Sequence, residues 1–173
     1  MKRVLLGLGS NRTHDGKNPL EILNLACAEL SKIISNPVFS SVYKTKAMYV
    51  TDQNDFFNMA AYGFVSDDEN PFDFLDKIHE IEKKYGRDRT KEIRFGPRSL
   101  DIDIELFGDY VSDDPVLTVP HPRIKERAFV LVPAIEILRK SAENLLLEEY
   151  ENALSGLKVD YDGSFRKCTG SND

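Results

Sequence analysis

The sequence predicts an α+β domain, an antiparallel sheet with helices packed on it, and three observations carry that prediction. Stretches rich in β-formers and stretches of helical period follow one another in the order β-α-β-β-α-β. Two Asn-Pro pairs, Asn18-Pro19 and Asn70-Pro71, each open an amphipathic helical run. Between residues 100 and 106, Leu100, Ile102, Ile104 and Leu106 alternate with Asp101, Asp103 and Glu105. That period of two marks a half-buried strand with an apolar face and, opposite it, a face of three carboxylates.

In chain order, residues 2–8 read as a buried first strand, and Gly7-Leu8-Gly9-Ser10-Asn11 as a structural turn. This turn has neither the Gly-Lys-Ser/Thr of a phosphate loop nor a full dinucleotide fingerprint. Asn18 caps a helix whose face is Leu20, Leu23, Cys27, Leu30 and Ile34, and Asn36-Pro37 ends it. Residues 38–45 read as a second strand and 56–65 as a third; the intervening loop, 46–55, is long for a plain hairpin and is marked as functional. The second helix presents Phe74, Ile78, Ile81 and Tyr85 at spacings of four, three and four, and Gly86 stops it. Residues 87–98, with five basic and two acidic side chains and no periodicity, read as a mobile cationic loop delivering the chain to the Asp101 strand. A short strand at 116–119 follows, then the irregular Pro120-His121-Pro122-Arg123. Helices are expected at 127–138, with Pro133 tightening or breaking the first, and at 143–154.

These elements make one domain over residues 1–154, followed by a polar tail, 155–173, with few apolar anchors and the composition of a partly disordered segment. Apolar content of 41% and charged content of 30% are those of a soluble globular protein. No segment approaches the roughly 20 apolar residues of a membrane helix, and the apolar run 4–6 is too short for a signal peptide. Two cysteines, Cys27 and Cys168, make no disulfide framework, which predicts a reducing, cytoplasmic setting. A net charge of −6 argues against a general nucleic-acid binder. It leaves room for a small anionic ligand held by a local cationic patch.

The chemistry concentrates around the 100–106 strand. Side chains at i and i+2 start about 6.6 Å apart along a strand, so Asp101 and Asp103 can converge on one divalent ion or bridge a pair of ions. Arg94 and Arg98 flank Gly96-Pro97 just upstream. Cations beside paired carboxylates suit a metal-bound polyphosphate, with arginines on phosphate oxygens and aspartates on the metal. The alternative is a solvated acidic face with surface ion pairs of little energetic value; the stretch by itself supports both equally.

Five motifs then occur in order: Gly-Leu-Gly-Ser-Asn at 7–11; Tyr43-Lys44-Thr45; Gln53-Asn54-Asp55-Phe56-Phe57-Asn58; Gly86-Arg87-Asp88-Arg89 leading to Arg94-Phe95-Gly96-Pro97-Arg98-Ser99-Leu100-Asp101-Ile102-Asp103-Ile104; and Leu117-Thr118-Val119-Pro120-His121-Pro122-Arg123 with Arg127-Ala128-Phe129-Val130-Leu131. With them the chain, from about residue 4 to 137, resembles the 6-hydroxymethyl-7,8-dihydropterin pyrophosphokinases of folate biosynthesis. The resemblance implies a ferredoxin-like fold, ATP as co-substrate, two Mg²⁺ ions and AMP as the second product. It implies that Asp101 and Asp103 bind both metals and that Arg87 and Arg98 are catalytic loop arginines closing over the phosphates. His79, Glu82, Arg89, Arg94, Ile104, Thr118, His121 and Arg127 fall at its ATP-binding positions. Thr45, Lys46, Met48, Phe56, Asn58, Phe95 and Phe129 fall at its pterin-binding positions, with Phe56 and Phe129 as stacking rings. Asn58 shares the strand face of Phe56 and offers two donors and an acceptor to a polar-edged heterocycle. Phe56 stands where a tyrosine is common and Phe95 where a tryptophan is common. Lys46-Ala47 replaces a proline-rich pair, and Glu105 adds a third carboxylate to the metal face.

Diphosphoryl transfer asks for positioning and charge neutralisation rather than a covalent nucleophile. The sequence carries no evident activated Ser or Cys constellation. The expected partners are the two small substrates, without nucleic acid, membrane or an evident protein partner. Two rival readings stand beside this one: another two-metal nucleotidyltransferase or phosphohydrolase using the same aspartates, and a non-catalytic ferredoxin-like RNA-binding module.

Overall fold

The computed structural model describes residues 1–46, 54–88, 96–157 and 165–168. Its elements are β1 (Lys2–Ser10), α1 (Pro19–Leu30), β2 (Ser35–Phe39), β3 (Tyr43–Thr45), β4 (Phe56–Val65), α2 (Pro71–Lys84), β5 (Asp101–Phe107), β6 (Ser112–Asp113), β7 (Thr118–Val119), a 3₁₀ turn (Ile124–Glu126), α3 (Ala128–Leu138), α4 (Asn144–Ser155) and β8 (Phe165–Lys167). The main sheet runs β5-β1-β4-β3-β8, with β2 also on β4, and every recorded pairing is antiparallel. This is the expected α+β plan.

Both Asn caps form as the sequence predicts. Asn18 accepts the Glu21 N–H while Glu21 returns a bond to the Asn18 N–H, and Asn70 accepts from Phe72 and Asp73. One apolar layer, with Ile22, Leu23, Phe74 and Ile78, covers the sheet face of Val4, Leu6, Leu8, Ile102 and Ile104. A second layer, with Leu131, Ile135 and Tyr150, covers the opposite face at Leu5, Ala60 and Tyr62. The sequence-predicted Asn58, Asp101 and Asp103 lie on this second face.

The boundaries depart from the sequence reading in several places. Residues 7–10 are not a turn: β1 runs through Gly7 and Gly9 to Ser10. The α1 helix ends at Leu30 rather than near Ile34: the N–H groups of Lys32 and Ile33 bond three residues back, to the Glu29 and Leu30 carbonyls, and tighten the chain into turns. Asn36-Pro37 therefore lies inside β2, which pairs only with β4 and so tolerates proline. The single strand expected at 38–45 is two, since the Ser40 hydroxyl takes the Ala60 N–H and interrupts the ladder. The strand expected at 116–119 shrinks to Thr118–Val119, paired with β6. Pro133 sits inside α3 without breaking it. Within the polar tail, Phe165–Lys167 adds β8 to the outer edge of β3.

Leu106 is a further correction. The pairing of β5 with β1 slips between Leu5 and Leu6, so that Leu6 faces Ile104 and Leu5 faces Leu106. This bulge turns Leu106 onto the α3/α4 side and leaves Phe107 in the other core. Among the described residues no helix is long and apolar enough to cross a membrane.

Candidate active site

The central strands set the floor of the site. In register, Asn58 on β4 faces Gly9 on β1, which faces Asp101 on β5; in the next row Ala60 faces Gly7, which faces Asp103. The two glycines are what make that floor possible. A Cβ on Gly7 would lie 2.8 Å from Glu105 Oε1, and one on Gly9 would lie 3.2 Å from Asn58 Oδ1. The glycine alternation thus clears one sheet face for polar side chains from both neighbours. Glycine inside a strand pattern is a recognised sign of such close approach, so the sequence held this signal although the turn reading passed over it.

A cavity of about 230 Å³ opens above this floor. Arg98, Asp101, Asp103, Glu105, His121 and Arg127 line it, together with Thr45, Lys46, Phe56, Asn58 and Phe129. Eleven side chains from five segments of the chain therefore meet around one space, and ten of them are sequence-predicted site residues; Glu105 is the addition.

Asp101 is gripped from both sides. Arg87 donates to its Oδ1 and Arg98 to its Oδ2. Arg87 is itself nearly buried and donates at 2.7 Å to Glu82, whose Oε1 also accepts the Ile102 N–H at 2.8 Å. Burial raises the Asp101 pKa, but the two guanidiniums outweigh it and leave the carboxyl below its ordinary value. Asp103 has no hydrogen-bond or ion-pair partner among the described residues, and burial together with the charge on Asp101 pushes it up to about 7.

Glu105 is wholly buried, and among the described residues neither carboxylate oxygen has a hydrogen-bond partner; His121 Nδ1 lies 3.8 Å from Oε2. Burial and then Asp103 drive its pKa well above the ordinary value. Such a group costs the fold free energy. Exchanging it for methionine, of similar length and volume, is expected to stabilise the chain by about 1–3 kcal/mol at neutral pH, the usual penalty of a buried unsatisfied polar group. Urea unfolding midpoints of the two proteins check this; a lower midpoint for the variant would show that Glu105 is stably partnered.

His121 follows the cis Val119–Pro120 bond, and its N–H donates to the Glu105 carbonyl at 3.0 Å, which ties it to β5. Its Nδ1 accepts the Arg123 N–H at 3.2 Å. Burial, followed by the charge of Arg127, lowers its pKa to about 4. The ring is therefore neutral at pH 7 and carries its proton on Nε2, a donor toward an anion. Arg127 stacks over the Phe129 ring at 5.6 Å, and its Nε is buried without a hydrogen-bond partner. Asn58 gives one amide hydrogen to Thr45 Oγ1 at 2.8 Å, while its Oδ1 has no partner among the described residues. The cavity thus offers an in-plane acceptor beside two rings.

The remaining predicted positions fall elsewhere. Glu82 and Arg87 stand behind Asp101 rather than at the cavity wall. Ile104 points into the α1/α2 core, His79 is half-buried on α2, and Thr118 donates to the Asp114 carbonyl within the β6–β7 hairpin. Met48, Arg89, Arg94 and Phe95 lie outside the described residues.

The residues fit a divalent metal. Asp101 and Asp103 share one strand face, and Asp103 has no hydrogen-bond or ion-pair partner among the described residues, so the pair could hold a metal whose shell ligand or water oxygens complete; among the described residues no group of three His, Cys, Asp or Glu side chains is gathered for one. Arginine and neutral histidine donors next to them suit phosphate oxygens.

The profile of the 7,8-dihydro-6-hydroxymethylpterin-pyrophosphokinase family matches residues 5–139. The 2-amino-4-hydroxy-6-hydroxymethyldihydropteridine pyrophosphokinase of Haemophilus influenzae is 35% identical over 139 residues, 79% of this chain and 82% of that protein. Its Bacillus subtilis namesake is 43% identical over 101 residues, 58% of each chain. The mitochondrial folate synthesis bifunctional protein of Pisum sativum is 36% identical over 140 residues, 79% of this chain but 25% of the pea protein. The aligned stretch thus covers a quarter of the pea protein and 58% of the Bacillus protein, less than two thirds of either.

Proposed function

The chain belongs to the 7,8-dihydro-6-hydroxymethylpterin-pyrophosphokinase family, and from that premise we propose that it transfers the β,γ-diphosphoryl group of ATP to the hydroxymethyl oxygen of 6-hydroxymethyl-7,8-dihydropterin in folate synthesis. The alcohol oxygen forms a bond to the β-phosphorus, the bond from that phosphorus to the α,β-bridging oxygen breaks, AMP leaves, and the alcohol proton is released. The observation that carries this reading is one cavity lined both by the carboxylates of β5 with Arg98, His121 and Arg127 and by the rings of Phe56 and Phe129 with Asn58.

Asp101 and Asp103 would hold Mg²⁺, two ions in the resemblance; bound there, the metal neutralises phosphate charge and lowers the proton affinity of the alcohol. Arg98 and Arg127 bind phosphate oxygens, and His121 donates from Nε2 while remaining neutral. Arg87 holds Asp101 in place, backed by Glu82. Phe56 and Phe129 stack the heterocycle, and Asn58 orients it through the oxygen that Thr45 leaves free. Arg89 and Arg94 join the phosphate contacts, and Met48 and Phe95 the pterin contacts, by resemblance.

Product analysis tests the reading. ATP, Mg²⁺ and the pterin alcohol are expected to yield AMP and a pterin diphosphate. Release of ADP, or AMP formation indifferent to the pterin, would instead support a nucleotidyltransferase or phosphohydrolase. The RNA-binding alternative needs an open sheet face of aromatics among basic residues. Here one face is packed under α1 and α2, and the other carries three carboxylates beneath α3 and α4.

A further inference from the structure

Two walls of the cavity belong to different layers. Phe129 stands at the start of α3, whereas Thr45, Phe56 and Asn58 stand on β3 and β4. The gap between the walls therefore depends on how α3 is seated on the sheet.

Leu131 and Ile135 pack α3 onto the sheet, and Glu136 adds the polar contacts of that seat. It lies seven residues after Phe129, two turns along the same helix face, about 10 Å along the axis. Its Oε2 accepts the Ser41 N–H at 3.1 Å and the Tyr43 hydroxyl at 2.9 Å, and its Oε1 accepts the Ser41 hydroxyl at 2.9 Å. Lys167 on β8 approaches Oε1 at 3.5 Å. Among the described residues, the side-chain hydrogen bonds that α3 makes to Tyr43 on β3, to Ser41 just before it and to Lys167 on β8 all end on this carboxylate. Burial acts to raise the Glu136 pKa, but the bonds from Ser41 and Tyr43 outweigh it and hold the carboxyl below its ordinary value. Tyr43 is two residues from Thr45 on the same strand, and Thr45 in turn holds Asn58.

We propose that Glu136 is a positioning residue that sets the width of the heterocycle slot, by pinning α3, and Phe129 with it, to the strand that carries Thr45. The proposal deepens the pyrophosphokinase reading and rests on it. Glu136 does not line the cavity, so its loss acts on the flat substrate only through the spacing of the walls.

The test is a titration of the pterin alcohol onto the full chain, followed by the pterin's own fluorescence, together with KM values for both substrates. Glu136→Ala is expected to weaken pterin binding and raise the pterin KM about tenfold or more, the loss typical of a hydrogen bond to a charged group. The ATP KM is expected to stay within about twofold, since no phosphate contact changes. Glu136→Gln, which keeps an acceptor but no charge, falls between. A lower melting temperature with both KM values unchanged, or with both raised equally, overturns the proposal and leaves Glu136 a structural residue. Should Glu136→Ala not fold, Tyr43→Phe and Ser41→Ala each remove one donor and leave the carboxylate in place; a pterin-selective loss supports the proposal and unchanged affinity overturns it. A wild-type chain that fails to bind the pterin sinks the proposed function instead.

Discussion

Replacing Asp103 with alanine is expected to abolish magnesium-dependent transfer, by about 10³-fold or more, while the chain stays folded. The size follows from the several kcal/mol of charge stabilisation that a metal supplies to a phosphoryl transition state. The survival of the fold follows from the surroundings of Asp103. No described donor depends on it, and burial and the Asp101 charge already push its pKa up to about 7. Removing it relieves the repulsion with Asp101 and leaves no hydrogen-bond donor orphaned among the described residues. AMP production against Mg²⁺ concentration, with circular dichroism and a urea midpoint alongside, checks both halves. Activity within tenfold of wild type, still metal-dependent, would remove Asp103 from the site.

Arg98→Ala is expected to lower kcat by up to about 10³–10⁵-fold, the range known for arginine fingers and here an upper bound, with only a few-fold change in the ATP KM. The contrast arises because the grip is needed most when charge develops on the transferring group. The backbone at residue 98 holds its place without the side chain: its N–H donates to Asn11 Oδ1 at 2.7 Å, and its carbonyl accepts from Asn11 at 2.9 Å and Arg12 at 3.1 Å. The variant also strips one of the two cations from Asp101. Steady-state kinetics separate the effects, and equal losses in kcat and in ATP affinity would assign Arg98 to ground-state binding.

Local chemistry was legible where a short stretch settles its own conformation. Asn18 and Asn70 each carry an N-cap side chain and a following proline, so both helix starts could be read directly. The alternation from Leu100 to Glu105 needs only the pleat of a strand to separate its carboxylates from its apolar residues. Failures came where a distant backbone intervened. Ser40 breaks the 38–45 strand because Ala60, twenty residues away, offers its N–H. Leu106 changes face because β1 imposes a register slip that no periodicity in β5 foretells.

The candidate site divides the same way. Its charged and aromatic members are residue types whose chemistry and motif order speak for them: Asp101, Asp103, Arg98, His121, Phe56, Asn58 and Phe129. Glutamate chemistry by contrast depends on company. Glu82, Glu105 and Glu136 look alike in one dimension, yet one backs Arg87, one is buried without a hydrogen bond, and one seats a helix on the sheet. The sequence by itself determined the α+β plan, the paired carboxylates and the side chains able to bind phosphate and a flat ring, because each is settled within a few residues. Only the tertiary structure decided which carboxylate meets two guanidiniums, which lines the cavity without an ion pair and which is buried without a hydrogen bond among the described residues, because burial and partners come from strands and helices far apart in the chain, and those set the free energy of a charge.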